Sequence, residues 1–433
     1  MKTNRRGGYI LVQALVAVAG LVAFMAILAA DQRDALDVCI RHLDQERAQA
    51  AADGGVARAL EVLSSANPNL VTQNDDWYKL GNSGDDEFDF DDGSSFRIQI
   101  VDACSMLNLN TATQIQLTNL PLQQDQVDCL LDWIQPGLSA RPDGAKDDFY
   151  NSLPQPYNTK LAALTTVDEL LLVDNWTAQT LYQPPALQPT STDYPTDQDG
   201  NYLPLAAFVT VDSLSPTLTT TGQARINIST ARLSGRTGTL NSAALIDINR
   251  LEARGLSRRG ARLLERGFPI SSFHALFEKV TSLSQADEQV LLNNLSFSTS
   301  TSKAGLYNIN TATQGVLDML PNMTDGIASS IIQQQAAGFT SLGALVSLIG
   351  MDRDKLMDLA DNLTVASNTW IARIYGQDGA ATVAYEAVIR NQNSQVQIVN
   401  LNKLNVAGLP SWWAWDVEPT ATLQSGDLAE QSQ

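Results

Sequence analysis

Leu107-Asn108-Leu109-Asn110-Thr111-Ala112-Thr113-Gln114 returns two hundred positions later as Tyr307-Asn308-Ile309-Asn310-Thr311-Ala312-Thr313-Gln314. The match runs on to Leu120-Pro121 and Leu320-Pro321, with nine of fifteen places identical. Thr111 with Gln114, and Thr311 with Gln314, have the spacing of a capping box, in which hydroxyl and amide each satisfy a helix-end N–H. Asn108, Asn110, Asn308 and Asn310 are suited to bracing the turn before the helix through side-chain-to-backbone bonds. The Leu-Pro pairs close short helices. Second helices are expected over Gln126–Ile134 and Ile327–Ala336, the later copy continuing into Gly338-Phe339-Thr340-Ser341-Leu342. A degraded third copy starts at Arg225-Ile226-Asn227-Ile228-Ser229-Thr230-Ala231, with helices expected over Ala244–Leu251 and Arg258–Glu265.

Units of this pattern resemble helix-hairpin-helix modules of the sterile-alpha-motif-like class. Such modules often bind DNA through a Gly-x-Gly hairpin whose amides meet a phosphate. The hairpins of the two clear copies, Leu120-Pro121-Leu122-Gln123-Gln124 and Leu320-Pro321-Asn322-Met323-Thr324, have no such glycines. The third, Arg254-Gly255-Leu256-Ser257-Arg258-Arg259-Gly260, is basic and contains glycine; it reads as a solvated basic face or a contact with an acidic neighbour.

Outside the repeats, Ser95–Asp102 alternates apolar and polar residues as a half-buried strand does. Thr369–Tyr375, Val383–Arg390 and Gln395–Val399 read as strands on the far side of the helical region. The economical arrangement is one sheet, split in sequence by a long helical insertion. Trp412, Trp413 and Trp415 follow the last strand and suit packing better than an exposed contact. From Thr420 the chain is polar and expected to be disordered.

At the other end, Lys2, Arg5 and Arg6 precede an uncharged apolar run from Tyr9 to Ala30. As a helix, that run is about 33 Å long, enough to cross a bilayer, and its flanking charge favours a cytoplasmic amino terminus. An uncleaved signal anchor fits it. So does a signal peptide cut after the small-x-small triplet Ala17-Val18-Ala19. Beyond it Leu36, Ile40, Leu43, Ala50, Gly54, Ala57, Leu60 and Leu63 recur mostly at helical spacing, and Ser64-Ser65-Ala66-Asn67-Pro68 ends the pattern. One continuous helix is expected, half in lipid and half on a domain. Its Ala48–Gly55 stretch offers small side chains where a sheet could come close.

The 433 residues carry a net charge of −19, so the surface as a whole repels nucleic acid and anionic lipid. Eight acids and one base lie between Asp75 and Asp92, whereas Arg225–Lys279 holds ten bases and four acids. The acidic run from Asp85 to Asp92 reads as a solvated loop. Two distant histidines, His42 and His274, give little scope for His-based catalysis or zinc binding. No nucleophile–base pairing or phosphate loop is legible, and an enzyme is not expected. Three cysteines are too few for a disulfide framework. One bond, between Cys104 and Cys129, would close a loop of about 25 residues; two buried free thiols are the other reading.

Gly8 directly before Tyr9, at the polar end of the apolar run, resembles a type IV prepilin leader, which is cut after the glycine by prepilin peptidase. Asp132-Trp133-Ile134, Asp143–Tyr150, Leu153-Pro154-Gln155-Pro156-Tyr157 and Thr166–Leu170 are similar to the general secretion pathway protein K family, the large minor pseudopilins of type II secretion. The likeness covers the leader, the long helix, the insertion to about Tyr182 and the Asn-Thr-Ala segment from Tyr307. The stretch from Leu233 to Ala304 is longer than the family pattern implies.

That resemblance implies an α+β fold: a transmembrane helix packed on a pilin-like sheet, carrying a large all-α insertion. The expected divisions are a leader at 1–8, the helix at 9–64 and the first part of the pilin-like domain at 65–105. The insertion follows as 106–224, an extra degenerate unit at 225–304 and a repeat copy at 305–365. The carboxy-terminal strands take 366–419 and the tail 420–433. The fifth mature residue, Gln13, stands where most pilin-like proteins have Glu, and a neutral residue there marks the tip subunit. The resemblance further implies amino-terminal methylation, a single-pass inner-membrane anchor and a periplasmic body. The implied partners are other minor pseudopilins, prepilin peptidase, and a secreted substrate or the outer-membrane secretin; nucleic acid is not among them. It also implies calcium, with Asp132, Asp143, Asp147 and Asp148 as hard oxygen donors. Gln135 and Lys146 stand where the pattern calls for acids, so a salt-bridge cluster is an equal reading. The favoured function is a non-catalytic tip pseudopilin that initiates pseudopilus assembly for export across the outer membrane. The alternatives are a competence-like DNA receptor and a type IV pilus minor pilin.

Overall fold

An unbroken run of helix-forming residues, without a proline before Pro68, produces a single helix α1 over Gly7–Ser65. The computed structural model describes residues 7–82, 87–185, 194–196, 200–229, 233–234, 239–240, 242–392, 395–406, 408–413 and 415. The leader residues 1–6 and the tail from 416 lie outside them. At 59 residues α1 is about 88 Å long. Ser64 and Ser65 end it by turning their hydroxyls back to the carbonyls of Glu61 and Val62, at 2.7 and 2.8 Å.

From Leu11 to Leu43 α1 is exposed. From Ala48 onward it buries Ala48, Ala51, Ala52, Gly55, Val56, Ala59, Val62 and Leu63. This face is rotated from the expected one, since Ala50 and Ala57 point outward. The reason is close approach. A methyl group at Gly376 would lie 2.7 Å from the amide nitrogen of Ala52, and one at Gly55 would lie 2.6 Å from Ile374 Cγ2. The helix therefore turns its smallest residues, not its largest apolar ones, toward the sheet.

That sheet has five antiparallel strands: β1 Glu87–Asp89, β2 Ser95–Asp102, β3 Thr369–Asp378, β4 Ala381–Gln392 and β5 Gln395–Leu404, in that spatial order. The expected strands are all present, and they form one sheet split by the insertion. Part of the acidic run is strand rather than loop, because Phe88 of β1 stacks on Phe96 of β2 with ring centroids 4.9 Å apart. Asp85 and Asp86 lie outside the described residues.

The insertion holds three copies of one unit, and each copy is closed by a pair of parallel strands. Leu107–Asn108 pairs with Val209–Thr210, Ile226–Asn227 with Leu295–Ser296, and Tyr307–Asn308 with Leu363–Thr364. In all three the strand's asparagine accepts from the amide two residues on, at 3.0 Å for Asn108, 2.9 Å for Asn227 and 3.0 Å for Asn308. The degraded third copy is thus a full unit. The helices that matter below are α2 Gln114–Thr118, α3 Gln124–Ile134, α4 Ser242–Ala253, α5 Arg258–Gly267, α6 Gln314–Asp318 and α7 Asp325–Gln335.

The expected capping boxes are displaced. The box in the first unit joins Thr113 to Gln116, while Thr111 donates to the Asn108 carbonyl at 3.3 Å. A tight turn over 108–112 comes first, with Ala112 N–H reaching Asn108 O at 2.8 Å, and this moves the cap two residues along. In the later copy Thr313 caps α6 without a side-chain bond, because Val316 has no amide to complete a box.

One continuous core runs through all three units, from Leu107 to Val365. A second core lies between α1 and the sheet. On the sheet's other face Arg373 donates to the carbonyls of Trp413 and Ala207, at 3.1 and 3.0 Å. Trp413 and Trp415 pack there with Ala384, as packing rather than exposed contact would require.

Candidate functional site

Asp132 sits in the last turn of α3, on the face that also buries Val127, Leu131 and Trp133, and it is 1% exposed. A helix end leaves carbonyls without intrahelical partners, and a buried carboxylate needs donors, so this place demands positive charge. The loop after α3 supplies it. Arg141 Nη1 lies 2.6 Å from Asp132 Oδ1, and the Arg141 amide donates to Asp132 Oδ2 at 2.9 Å. Arg141 Nη2 reaches Gln135 Oε1 at 2.5 Å. Lys146, itself buried, donates to the Asp132 carbonyl and to the Gln135 carbonyl, the latter at 3.1 Å. Burial, and then the neighbouring Arg141, outweigh Asp132 and Asp147 and pull the Lys146 ammonium below its usual pKa.

The remaining expected calcium ligands do not join Asp132. Asp147 caps a different turn, accepting from the Thr159 amide at 2.7 Å, and that bond lowers its pKa. Asp143 and Asp148 are exposed. Among the described residues no three acidic, His or Cys side chains converge as a metal site would require. The four aspartates therefore do not fit calcium as a set. The loop folds back through Leu161, whose amide donates to the Trp133 carbonyl at 2.9 Å. Glu169 takes Lys160 at 2.6 Å and Trp133 Nε1 at 3.0 Å.

The expected disulfide is corrected too. Cys104 and Cys129 are free thiols, both buried in separate surroundings. Cys104 Sγ donates to the Leu214 carbonyl at 3.5 Å and Cys129 Sγ to the Asp143 carbonyl at 3.6 Å. Burial, the largest cause, raises both thiol pKa values, that of Cys129 to about 12. Cys104 sits in the short turn after β2 and Cys129 within α3, each thiol facing a different loop.

On α1, Gln13 is exposed within the apolar surface, and Gly8 and Tyr9 lie in the first turns of the helix. Among the described residues, α1 is the one helix long and apolar enough to cross a membrane.

Two residues missed in the sequence organise the insertion. In the basic hairpin between α4 and α5, Asp287 accepts from the Ser257 amide at 2.8 Å and from the Ser257 and Ser284 hydroxyls at 2.9 and 2.7 Å. A carboxylate thus stands where a DNA-binding hairpin would hold a phosphate. Asp102, at the end of β2, is 1% exposed and accepts from Cys104 N, Asn308 Nδ2 and Thr311 Oγ1. Its signal was available: it is the fourth inward position of the alternating strand.

A solved structure described as the GspK-GspI-GspJ complex from enterotoxigenic Escherichia coli type 2 secretion system includes a similar chain. The identity is 14%, with 84% of this chain and 98% of that chain covered and a TM-score of 0.44. No curated protein matches the chain. Residues 107–192 and 307–366 match two family models, each described as type II secretion system protein K. Those segments are the first and last of the three units, and over them the chain is similar to the type II secretion system protein K family.

Proposed function

We propose that this protein is the minor pseudopilin at the tip of a type II secretion pseudopilus, a non-catalytic subunit that helps start its assembly. It is anchored in the inner membrane by α1, with the sheet and insertion in the periplasm, and it meets other minor pseudopilins through α1. The observation that carries this reading is the division of α1. Its Ala48–Leu63 part is committed to the sheet, whereas the uncharged stretch Leu11–Ala30 is exposed along its whole length. An apolar helix surface of that extent needs lipid or other helices.

The insertion gives a reason for the tip. Three packed units hang from one side of the sheet and would obstruct subunits stacked closely above, a conflict absent at the end of a fibre. Prepilin peptidase would cut between Gly8 and Tyr9. The test is paired: disulfide crosslinking of cysteines placed at 16 and 22 to neighbouring pseudopilins, with Cys39 replaced, and secretion by a strain lacking this chain. Crosslinks to minor pseudopilins with loss of secretion are expected. Crosslinks to the major pseudopilin along the shaft would reject tip placement.

A further inference from the structure

The loop that follows α3 surrounds a cluster of oxygens, every one of them already engaged by a protein donor. Both carboxylate oxygens of Asp132, the carbonyls of Asp132 and Gln135, and Gln135 Oε1 converge at the helix end. Carboxylate, amide and backbone carbonyl oxygens around one point are the donors a calcium ion takes, six to eight at about 2.3–2.6 Å. Here they accept instead from the guanidinium and amide of Arg141 and the ammonium of Lys146.

Three features make this a built arrangement rather than a surface ion pair. Asp132 is 1% and Lys146 7% exposed, so neither charge is screened by water. The Lys146 ammonium reaches the carbonyls at the carboxy terminus of α3, where the peptide dipoles favour a cation. Gly144 brings the loop backbone over the carboxylate so closely that a methyl group there would collide with Asp132 Oδ2 and lie 2.9 Å from Asp132 Cγ. That approach leaves no room for an ion and its remaining ligands beside Oδ2.

We propose that Arg141 and Lys146 are the resident cations of this loop, so that it closes and stays closed without a bound metal ion. An ammonium and a calcium ion cannot share one oxygen cage. Lys146 must leave before calcium can enter, and nothing outside the loop offers its buried side chain a second partner among the contacts described.

The experiment uses the full-length protein in detergent, stripped by a chelator and then given either millimolar calcium chloride or further chelator. Thermal unfolding and limited proteolysis of residues 135–160 are read in both conditions, with calcium binding followed by calorimetry. Melting within about 1 °C in the two conditions, identical cleavage and no stoichiometric calcium heat are expected. A calcium-dependent rise of several degrees, or binding of one ion per chain, would overturn the proposal. The variant arm is Lys146→Met with Arg141→Gln, which strips both cations from a buried carboxylate. It should open the loop to protease at least tenfold faster, and adding Asp132→Asn should recover most of the protection. Equal cleavage of the double variant and wild type would also reject the assignment. The wild-type calcium arm decides even if the double variant does not fold.

Discussion

Thr311 donates its hydroxyl to Asp102 Oδ2 at 2.7 Å across 209 residues of sequence, joining the last residue of β2 to the turn that opens the unit beginning at Tyr307. Asn308 Nδ2 reaches the same oxygen at 2.8 Å and also bonds the Val71 carbonyl at 3.1 Å. The segment after α1, the sheet and the insertion thus meet at one buried carboxyl group. Burial is the dominant influence on Asp102 and raises its pKa, against the hydrogen bonds that lower it. In the window from the ordinary carboxylate value up to that raised value, the folded protein holds a proton that the unfolded chain has lost. Asp102 therefore contributes stability that is present in acid and declines as pH rises through the window. Denaturant unfolding from pH 4 to 8 should show this slope in wild type and its loss in Asp102→Asn. Thr311→Val should cost about 1–3 kcal/mol at neutral pH by leaving the carboxylate short of a donor.

Gly376→Ala should loosen α1 from the sheet. The added methyl would lie 2.7 Å from the Ala52 amide nitrogen, against backbone that has no alternative rotamer. Overpacking of this kind costs about 1–3 kcal/mol. Thermal unfolding followed by Trp370 and Trp77 fluorescence should shift down, whereas Gly93→Ala, with open space around it but a positive φ of 88°, should report only local backbone strain.

All three cysteines should label with a thiol reagent in the denatured, unreduced protein. In the native state Cys39, which is exposed, should react first, and the buried Cys104 and Cys129 should react only on opening. Two protected thiols after denaturation without reductant would mean that the first unit is stapled after all.

Asp287 should make the protein lose stability in acid. Burial alone would raise its pKa, but bonds from the Ser257 amide and the Ser284 and Ser257 hydroxyls outweigh it and hold the carboxylate below its ordinary value. Its stabilisation is present above that value and is lost as pH falls through the lowered folded pKa. Asp287→Asn should remove this acid dependence. It should also raise hydrogen exchange at the start of α5, where the Ser257 cap reaches Gly260 N at 2.9 Å.

Gln13→Glu should leave assembly and secretion intact if no subunit sits above this one to compete for the carboxylate. Amino-terminal sequencing of the mature protein should begin at Tyr9, and a start at Gly20 would reject the prepilin reading. The ionisable group costs about 2–3 kcal/mol at mid-bilayer and less toward the helix end.

The helices and strands were legible because their signals are local. Alternation over Ser95–Asp102 fixed both the strand and its inward face, and the repeated Asn-x-Asn-Thr-Ala stretch located two units outright. What stayed hidden depends on partners distant in sequence. The buried face of α1 could not be chosen until Gly376 was known to lie against Ala52. The four aspartates looked like one site because they crowd a short stretch, yet Arg141 and Lys146, in the same stretch, had claimed the first of them. Cys104 and Cys129 are close in number, but Cys104 packs against Leu214 and Cys129 against the loop at Asp143. Asp287 gave no sign of its role, since its contact is with a hairpin thirty residues earlier.

Asp102 and Trp370 are directly opposed across β2 and β3, and between them the chain makes its whole excursion through the three units. Topologically the insertion is the loop of a β-hairpin. Its two ends are held about 5 Å apart by the sheet, as for any pair of opposed residues. Lengthening or removing such a loop changes closure entropy only slowly with its length. The pilin-like body is therefore a socket whose strands can pair whatever the loop carries, and the passenger units can be gained, lost or exchanged without redrawing the sheet. A middle unit such as 225–304 is the kind of addition that this arrangement tolerates.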